Sequence, residues 1–219
     1  MSKTKAIIFD LDGTLLDTLS DLADSMNRVL VRNGFPAHPV DHYRYFVGDG
    51  VEILISRVLP RKSQDNELIR KLVAEMMEEY GRHWRDKTKP YDGIENMLTS
   101  VAERGLRLNI LSNKPDAMTR LVVATFFPGH RFEHVAGAKE NFPKKPDPAA
   151  ALAIANNLGV SGQEILYLGD TATDMKTAVN AGMHALGALW GFRTADELIG
   201  NGARELLAEP SEILRYIRD

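Results

Sequence analysis

Two aspartates stand two residues apart directly behind a short apolar run, where Ala6-Ile7-Ile8-Phe9 leads into Asp10-Leu11-Asp12-Gly13-Thr14. Far along the chain come Ser112-Asn113, then Lys145 ahead of Pro146, then Gly169-Asp170 with Asp174 four residues on. Singly, each has a plain explanation: an Asp after a strand caps a turn, Ser-Asn is loop chemistry, and a lone lysine is a solvated charge. Together they make a reactive set. Four carboxylates and one lysine carry a formal −3. Two like charges about 4 Å apart repel by roughly 4 kcal/mol at an effective dielectric of about 20. Such a set therefore calls for a divalent cation or a proton. Oxygen donors alone, with no Cys and no paired His, suit a hard ion, Mg²⁺ before Zn²⁺. An ion that keeps open positions is well placed to take a phosphate oxygen.

That chemistry requires elements that bring the residues to one place. Residues 6–9 read as a strand buried on both faces, as in a parallel sheet. Because strand side chains alternate, Asp10 and Asp12 face the same way if the extended geometry lasts that far. Further strands are expected at 106–111, with Ser112 and Asn113 at its end, at 134–136, at 165–168 and at 185–189. Helical periodicity is expected over 94–104, closed by Gly105, and over 117–127. Another helix runs to 158 from an Asp147 cap with Pro148 in its first position, and ends at Gly159. A last one covers 173–181 and stops at Gly182. Strands alternating with helices predict a doubly wound α/β sheet, whose chemistry collects beyond the carboxyl ends of the strands. Asp10, Ser112, Asp170 and, one helical step on, Asp174 all fall there.

Between the first strand and the rest, no strand pattern interrupts residues 18–85, and helices are expected at 18–33, 51–59 and 63–85. This predicts a helical domain at 17–86 inserted into an α/β domain made of 1–16 and 87–219. The turn-rich Lys89-Pro90-Tyr91-Asp92-Gly93 suits a hinge.

Composition narrows the classes. The 219 residues contain no Cys, which excludes a disulfide scaffold, thiolate metal sites and cysteine nucleophiles. With 44% hydrophobic and 26% charged residues the chain reads as an ordinary globular protein. Its net charge of −3 lacks the basic footprint of a nucleic-acid binder. The basic start Met1-Ser2-Lys3-Thr4-Lys5 is followed by an apolar run that Asp10 and Asp12 break at once, too short for a secretory or membrane-spanning segment. A cytoplasmic protein, monomer or homodimer, with no membrane partner is expected. An EF-hand reading of Asp10-x-Asp12-Gly13 fails, because its sixth and twelfth positions hold Leu15 and Asp21.

Asp10-Leu11-Asp12-Gly13-Thr14-Leu15, Ser112, Lys145-Pro146 and Gly169-Asp170-x-x-x-Asp174 resemble, in order, the four motifs of the haloacid dehalogenase superfamily. The helical insert is similar to that superfamily's small α-helical cap. Phe46-Val47-Gly48-Asp49-Gly50-Val51 and Leu189-Trp190-Gly191-Phe192 are similar to the phosphoglycolate phosphatase branch. The resemblance implies a Rossmann-like core and a Mg²⁺-dependent phosphatase acting on a small phosphorylated metabolite, 2-phosphoglycolate above others, through an aspartyl-phosphate. It implies Asp10 as nucleophile, ionised at an ordinary pKa of ~3.9. Asp12 would be acid and then base, its carboxylate neighbours favouring the protonated form. Ser112 would hold a phosphoryl oxygen and Lys145 would neutralise charge. Thr14 and Asn113, with Gly48, Asp49 and Gly50 of the insert, would be substrate contacts. The metal set would be Asp10, Asp12 through its carbonyl, Asp170 and Asp174, the last by way of Lys145 or the metal's water shell.

Three other readings stay in view. A dehalogenase shares this layout but lacks the second aspartate, since no leaving alcohol needs a proton. A phosphosugar mutase needs the same residues; Thr14, often Val in mutases, leans towards hydrolysis. A receiver domain of a phosphorelay also phosphorylates an aspartate beside Mg²⁺, but carries its acidic pair and phosphorylated Asp in a different order and has no helical insert. Arg57, Arg44 or Lys62 are the cations available to a carboxylate-bearing substrate.

Overall fold

The computed structural model describes residues 3–218. The chain opens with β1 (Ala6–Phe9) and a two-residue strand β2 (Leu16–Asp17). It then runs through helices α1 (Leu19–Arg32), α2 (Tyr43–Phe46), α3 (Val51–Val58) and α4 (Asn66–His83). It returns through β3 (Lys89–Pro90), which pairs with β2. From there helices and strands alternate: α5 (Ile94–Glu103), β4 (Arg107–Pro115), α6 (Asp116–Phe126), β5 (Phe132–Ala138) and α7 (Ala149–Leu158). The series ends with β6 (Ile165–Gly169), α8 (Ala172–Asn180), β7 (His184–Ala188), α9 (Ala195–Gly200) and β8 (Glu205–Leu207).

Six strands form one parallel sheet in the order β5-β4-β1-β6-β7-β8. β1 lies between β4 and β6, and all four of its side chains are fully buried. That is why it reads as a continuous apolar run rather than an alternating one. The register decides what comes next. Phe9 lies level with Ile110 of β4 and Leu168 of β6, so the residues after them emerge together at one edge. Helices α7 and α8 pack Ile154, Leu158, Met175 and Ala178 against Ile8, Ile165 and Tyr167. Each large apolar side chain so buried contributes about 1.5–3 kcal/mol.

Compact units separate at Leu16/Asp17 and at Lys89/Pro90, three residues later at the return than the expected 86/87. The reason lies in α1. Asp21, buried in its first turn, accepts from the backbone N–H groups of Lys87 (3.0 Å) and Thr88 (2.9 Å) and from the Thr88 hydroxyl (2.8 Å). Lys87 Nζ also reaches Asp24 at 2.6 Å. Residues 87 and 88 are thus tied to the helical unit. Within that unit α1 packs along α4, and Glu79 of α4 sits buried between Arg32 (2.8 Å) and Arg28 (3.4 Å).

Several bounds differ from expectation. β4 runs four residues past Leu111, because β5 continues beside it as far as Pro115 and Ala138 after a register shift. Ser112, Asn113 and Lys114 are therefore strand residues, buried although polar. β5 is longer than the three residues foreseen and half-buried along most of its length. α7 begins at Ala149, with Pro148 in the cap position. Pro148 has no N–H, so Asp147 Oδ1 accepts from the first one available, that of Ala149, at 2.8 Å. α9, β8 and the β2–β3 pair had no expected counterpart. Among the described residues, no helix is long and apolar enough to cross a membrane.

Candidate active site

The Asp10 backbone N–H closes the sheet by donating to Leu168 O at 2.9 Å, and its side chain leaves the sheet at the centre of the strand-end edge. There its Oδ1 meets Lys145 Nζ at 2.8 Å. Lys145 is buried and is held from two sides. Asp174 Oδ1 takes its ammonium at 2.6 Å. The Asn113 side-chain amide pairs with its backbone in both directions, Oδ1 accepting from Lys145 N (2.9 Å) and Nδ2 donating to Lys145 O (3.1 Å).

Asp174 is itself fixed by the start of α8. Its Oδ2 accepts from the Thr171 N–H (3.1 Å) and hydroxyl (2.6 Å), while the Asp174 N–H donates back to Thr171 Oγ1 at 3.3 Å. This is a capping box with Asp in its third position. Tyr167 OH donates to Asp174 Oδ1 at 3.4 Å.

Asp170 is gripped at both oxygens. Thr14 Oγ1 donates to Oδ1 at 2.9 Å and the Phe192 N–H to Oδ2 at 2.8 Å. Trp190 Nε1 donates to Thr14 O at 2.9 Å and holds that layer shut. Glycine is required here. At Gly13 (φ 89°) a Cβ would overlap Asp170 Oδ2 and the Phe192 ring, and at Gly191 it would overlap Asp170 and the Gly13 carbonyl.

Asp12 turns to a partner that the sequence reading did not single out. Lys114 Nζ lies 2.8 Å from its Oδ1 and 2.9 Å from its Oδ2, with only 5% of the lysine side chain exposed. Lys114 N also donates to Ser112 Oγ at 3.2 Å. Strand alternation puts Ser112 and Lys114 on one face, a signal that becomes readable only once the strand is known to run past residue 111. Thr171, the cap of α8, carried no comparable signal, while Phe192, whose backbone holds Asp170, lies in the 189–192 segment noted for its resemblance.

These placements revise four expectations. Thr14 is fully buried with its hydroxyl on Asp170, so it orients a carboxylate rather than facing a substrate. The Asn113 side-chain amide is spent on the Lys145 backbone. Asp12 faces an ammonium rather than only carboxylates. Asp10 is not an ordinary carboxyl. Burial first, and then the charge of Asp174, push it up to about 7 against the pull of Lys145. Burial, then Asp174 and Asp10, hold Asp170 well above the usual carboxylate range. Burial works against the Lys145 ammonium, but Asp10 and Asp174 outweigh it and keep it protonated.

Asp10, Asp170 and Asp174 each bring a carboxylate oxygen within 4.8 Å of the others. Adding Lys114, the four aspartates and two lysines carry a formal −2, which one divalent cation would neutralise. Oxygen donors whose charged forms are raised in cost by burial fit a hard cation. Asp174 takes two protein donors on each oxygen and fits the support of Lys145 better than a direct bond to an ion, whereas Asp170 takes one on each and keeps lone pairs for it.

In the helical unit, Gly48 and Gly50 both take positive φ (123° and 92°). Between them Asp49 pairs with Arg57, which also donates to Phe46 O at 3.1 Å. Arg44 lies 3.9 Å from Asp41.

Aspartates at the strand ends of a doubly wound α/β sheet thus surround a buried lysine from the loop before α7. The family model for haloacid dehalogenase-like hydrolases matches residues 7–188, and the chain belongs to that family. It is a phosphoric monoester hydrolase. It is 30% identical over 192 residues to a phosphoglycolate phosphatase of Pseudomonas putida, covering 86% of this chain and 70% of that one. It is 29% identical over 217 residues to a phosphoglycolate phosphatase of Psychrobacter arcticus, covering 96% and 94%. A crystal structure from Lactobacillus delbrueckii subsp. bulgaricus, provisionally described as a phosphoglycolate phosphatase, superposes with a TM-score of 0.89 at 28% identity over 99% of both chains.

Proposed function

We propose that this chain hydrolyses 2-phosphoglycolate in a Mg²⁺-dependent reaction through an aspartyl-phosphate on Asp10. The observation that carries the mechanism is the Asp10–Lys145–Asp174 chain, with an ammonium bridging the nucleophile and a capped, fully buried carboxylate. The substrate rests on the relatives' names.

Asp10 attacks phosphorus and the bond from phosphorus to the ester oxygen breaks. The departing alkoxide takes a proton from the Asp12 carboxyl. Asp12 then accepts a proton from water as that water attacks the aspartyl-phosphate, freeing phosphate and restoring Asp10. Lys145 offsets negative charge on Asp10 and on the phosphoryl oxygens, and Ser112 donates its hydroxyl to one of them. Asp10, Asp170 and the Asp12 carbonyl are the groups to hold Mg²⁺, with Asp174 acting through Lys145. When bound, the ion supplies charge neutralisation to the transferring group.

Hydrolysis of a panel of phosphomonoesters with Mg²⁺ tests this reading. The highest kcat/KM should fall on 2-phosphoglycolate. Preference for a hexose phosphate with net isomerisation would make the protein a mutase, and turnover without metal would reject the mechanism.

A further inference from the structure

The site contains two buried lysines, and the mechanism above uses only one. Lys145 faces Asp10 and Asp174; Lys114 faces Asp12. We infer that Lys114 is a positioning residue that fixes the direction of the Asp12 carboxyl for proton transfer. This rests on Asp12 being the acid and base of the reaction.

Asp12 needs such a device because it lies past the end of β1, in a loop. Its backbone there forms an isolated bridge with Leu16 rather than a place in the sheet ladder. A carboxyl that gives a proton to the leaving oxygen, and later takes one from water, must sit within hydrogen-bond reach of both. Lys114 supplies that constraint by engaging both oxygens, at 2.8 and 2.9 Å.

Lys114 is in turn built in. Its N–H donates to Ser112 Oγ, and its carbonyl accepts from Thr119 Oγ1 at 3.1 Å. β5 comes so close that a Cβ at Gly137 would overlap the Lys114 carbonyl and the Thr119 hydroxyl. A lysine fixed at its backbone and buried along its stem is a poor surface charge and a good strut. Removing one member of such a pair leaves the other uncompensated in a low-dielectric place. The arrangement also ties two jobs to one tripeptide: Ser112 for the phosphoryl oxygen and Lys114 for the acid.

The test compares an alkyl phosphate, whose leaving oxygen needs a proton, with 4-nitrophenyl phosphate, whose leaving group departs as a stable anion. kcat/KM reports both esters up to formation of the phosphoenzyme. Lys114→Met should lower kcat/KM for the alkyl ester by ~10²-fold, the scale of general acid catalysis, and for the aryl ester by less than ~10-fold. Lys114→Arg should recover part of the alkyl rate. In the double variant with Asp12→Asn, the alkyl rate should be no lower than in Asp12→Asn alone, because the lysine acts only through that carboxyl. Equal losses on the two esters, or losses that multiply in the double variant, would overturn the inference. If Asp12→Asn itself fails to discriminate the esters, the acid role of Asp12 falls first. If it discriminates and Lys114→Met does not, only the positioning role falls. The ratio of the two esters is internal to each sample, so incomplete folding of Lys114→Met lowers both rates alike. Should that variant give no soluble protein, Lys114→Gln, which keeps an N–H donor without the charge, is read by the same ratio.

Discussion

Asp10 of the α/β unit and Glu79 of the helical unit are both buried carboxylates, and their surroundings push them in opposite directions. Glu79 lies between two guanidinium groups, and the hydrogen bond from Arg32 holds its pKa below the ordinary value. Asp10 shares one ammonium with Asp174, and burial pushes it up to about 7. Asp21 of the same unit is likewise buried, with three protein donors on one carboxylate. In the helical unit every buried acid is answered by donors from its own neighbourhood. At the strand ends acids outnumber bases, a deficit of positive charge that a divalent cation would offset. A buried carboxylate by itself says little; the count of donors around it separates a structural residue from a reactive one.

The largest test of that contrast is to remove the counter-charge. Chelation of divalent ions should reduce phosphomonoester hydrolysis to background, Mg²⁺ should restore it, and full turnover in excess chelator would contradict the −2 account of the site. Next comes Asp10→Asn, which keeps shape but removes the attacking oxygen's charge. A loss of at least ~10³ in kcat is expected, about 4 kcal/mol of barrier. Beryllium fluoride should attach to Asp10 in the wild type, and its appearance on Asp170 or Asp174 would reassign the nucleophile.

Asp49→Asn is the intermediate case. It breaks the Arg57 pair but leaves the two positive-φ glycines alone. If the 48–50 loop selects the leaving group, the ratio of kcat/KM between 2-phosphoglycolate and an aryl phosphate should change by ~10-fold. An unchanged ratio would make the loop purely structural.

The smallest effect belongs to Glu79→Gln, about 1 kcal/mol or less, because both arginines remain half-exposed to solvent. Its sign with pH is definite. The folded-state pKa lies below the unfolded value near 4.5, so the stabilisation is fully present above that value. It is lost as pH falls through the folded-state pKa. Thermal melting of wild type and variant should therefore differ at neutral pH and converge in strong acid; a gap that widens on acidification would reverse the assignment.

Much of this was legible in the residues. Ala6–Phe9 announces a central parallel strand because burial on both faces leaves no polar position in it. Asp10 and Asp170 were legible because each stands at the end of a short apolar run that reads as a buried strand, whereas Lys145 stands in the loop before α7 and drew notice only as part of the whole set. Lys114 was not legible, since a lysine after Ser-Asn looks like loop charge until β5 extends the ladder beside it. Nor was Thr14's turn towards Asp170, 156 residues away in sequence. The return boundary moved because a carboxylate in α1 captures two N–H groups 66 and 67 residues further on.

The sequence by itself determined the α/β class, the helical insert and most of the acids and bases that gather at the strand ends, because period, punctuation and residue type are local properties. Only the tertiary structure decided which lysine meets which aspartate, which polar residues serve the substrate and which serve each other, and which carboxyls burial makes costly to charge. Those are properties of pairs distant in the chain, set by strand register and by how much water the packed core excludes.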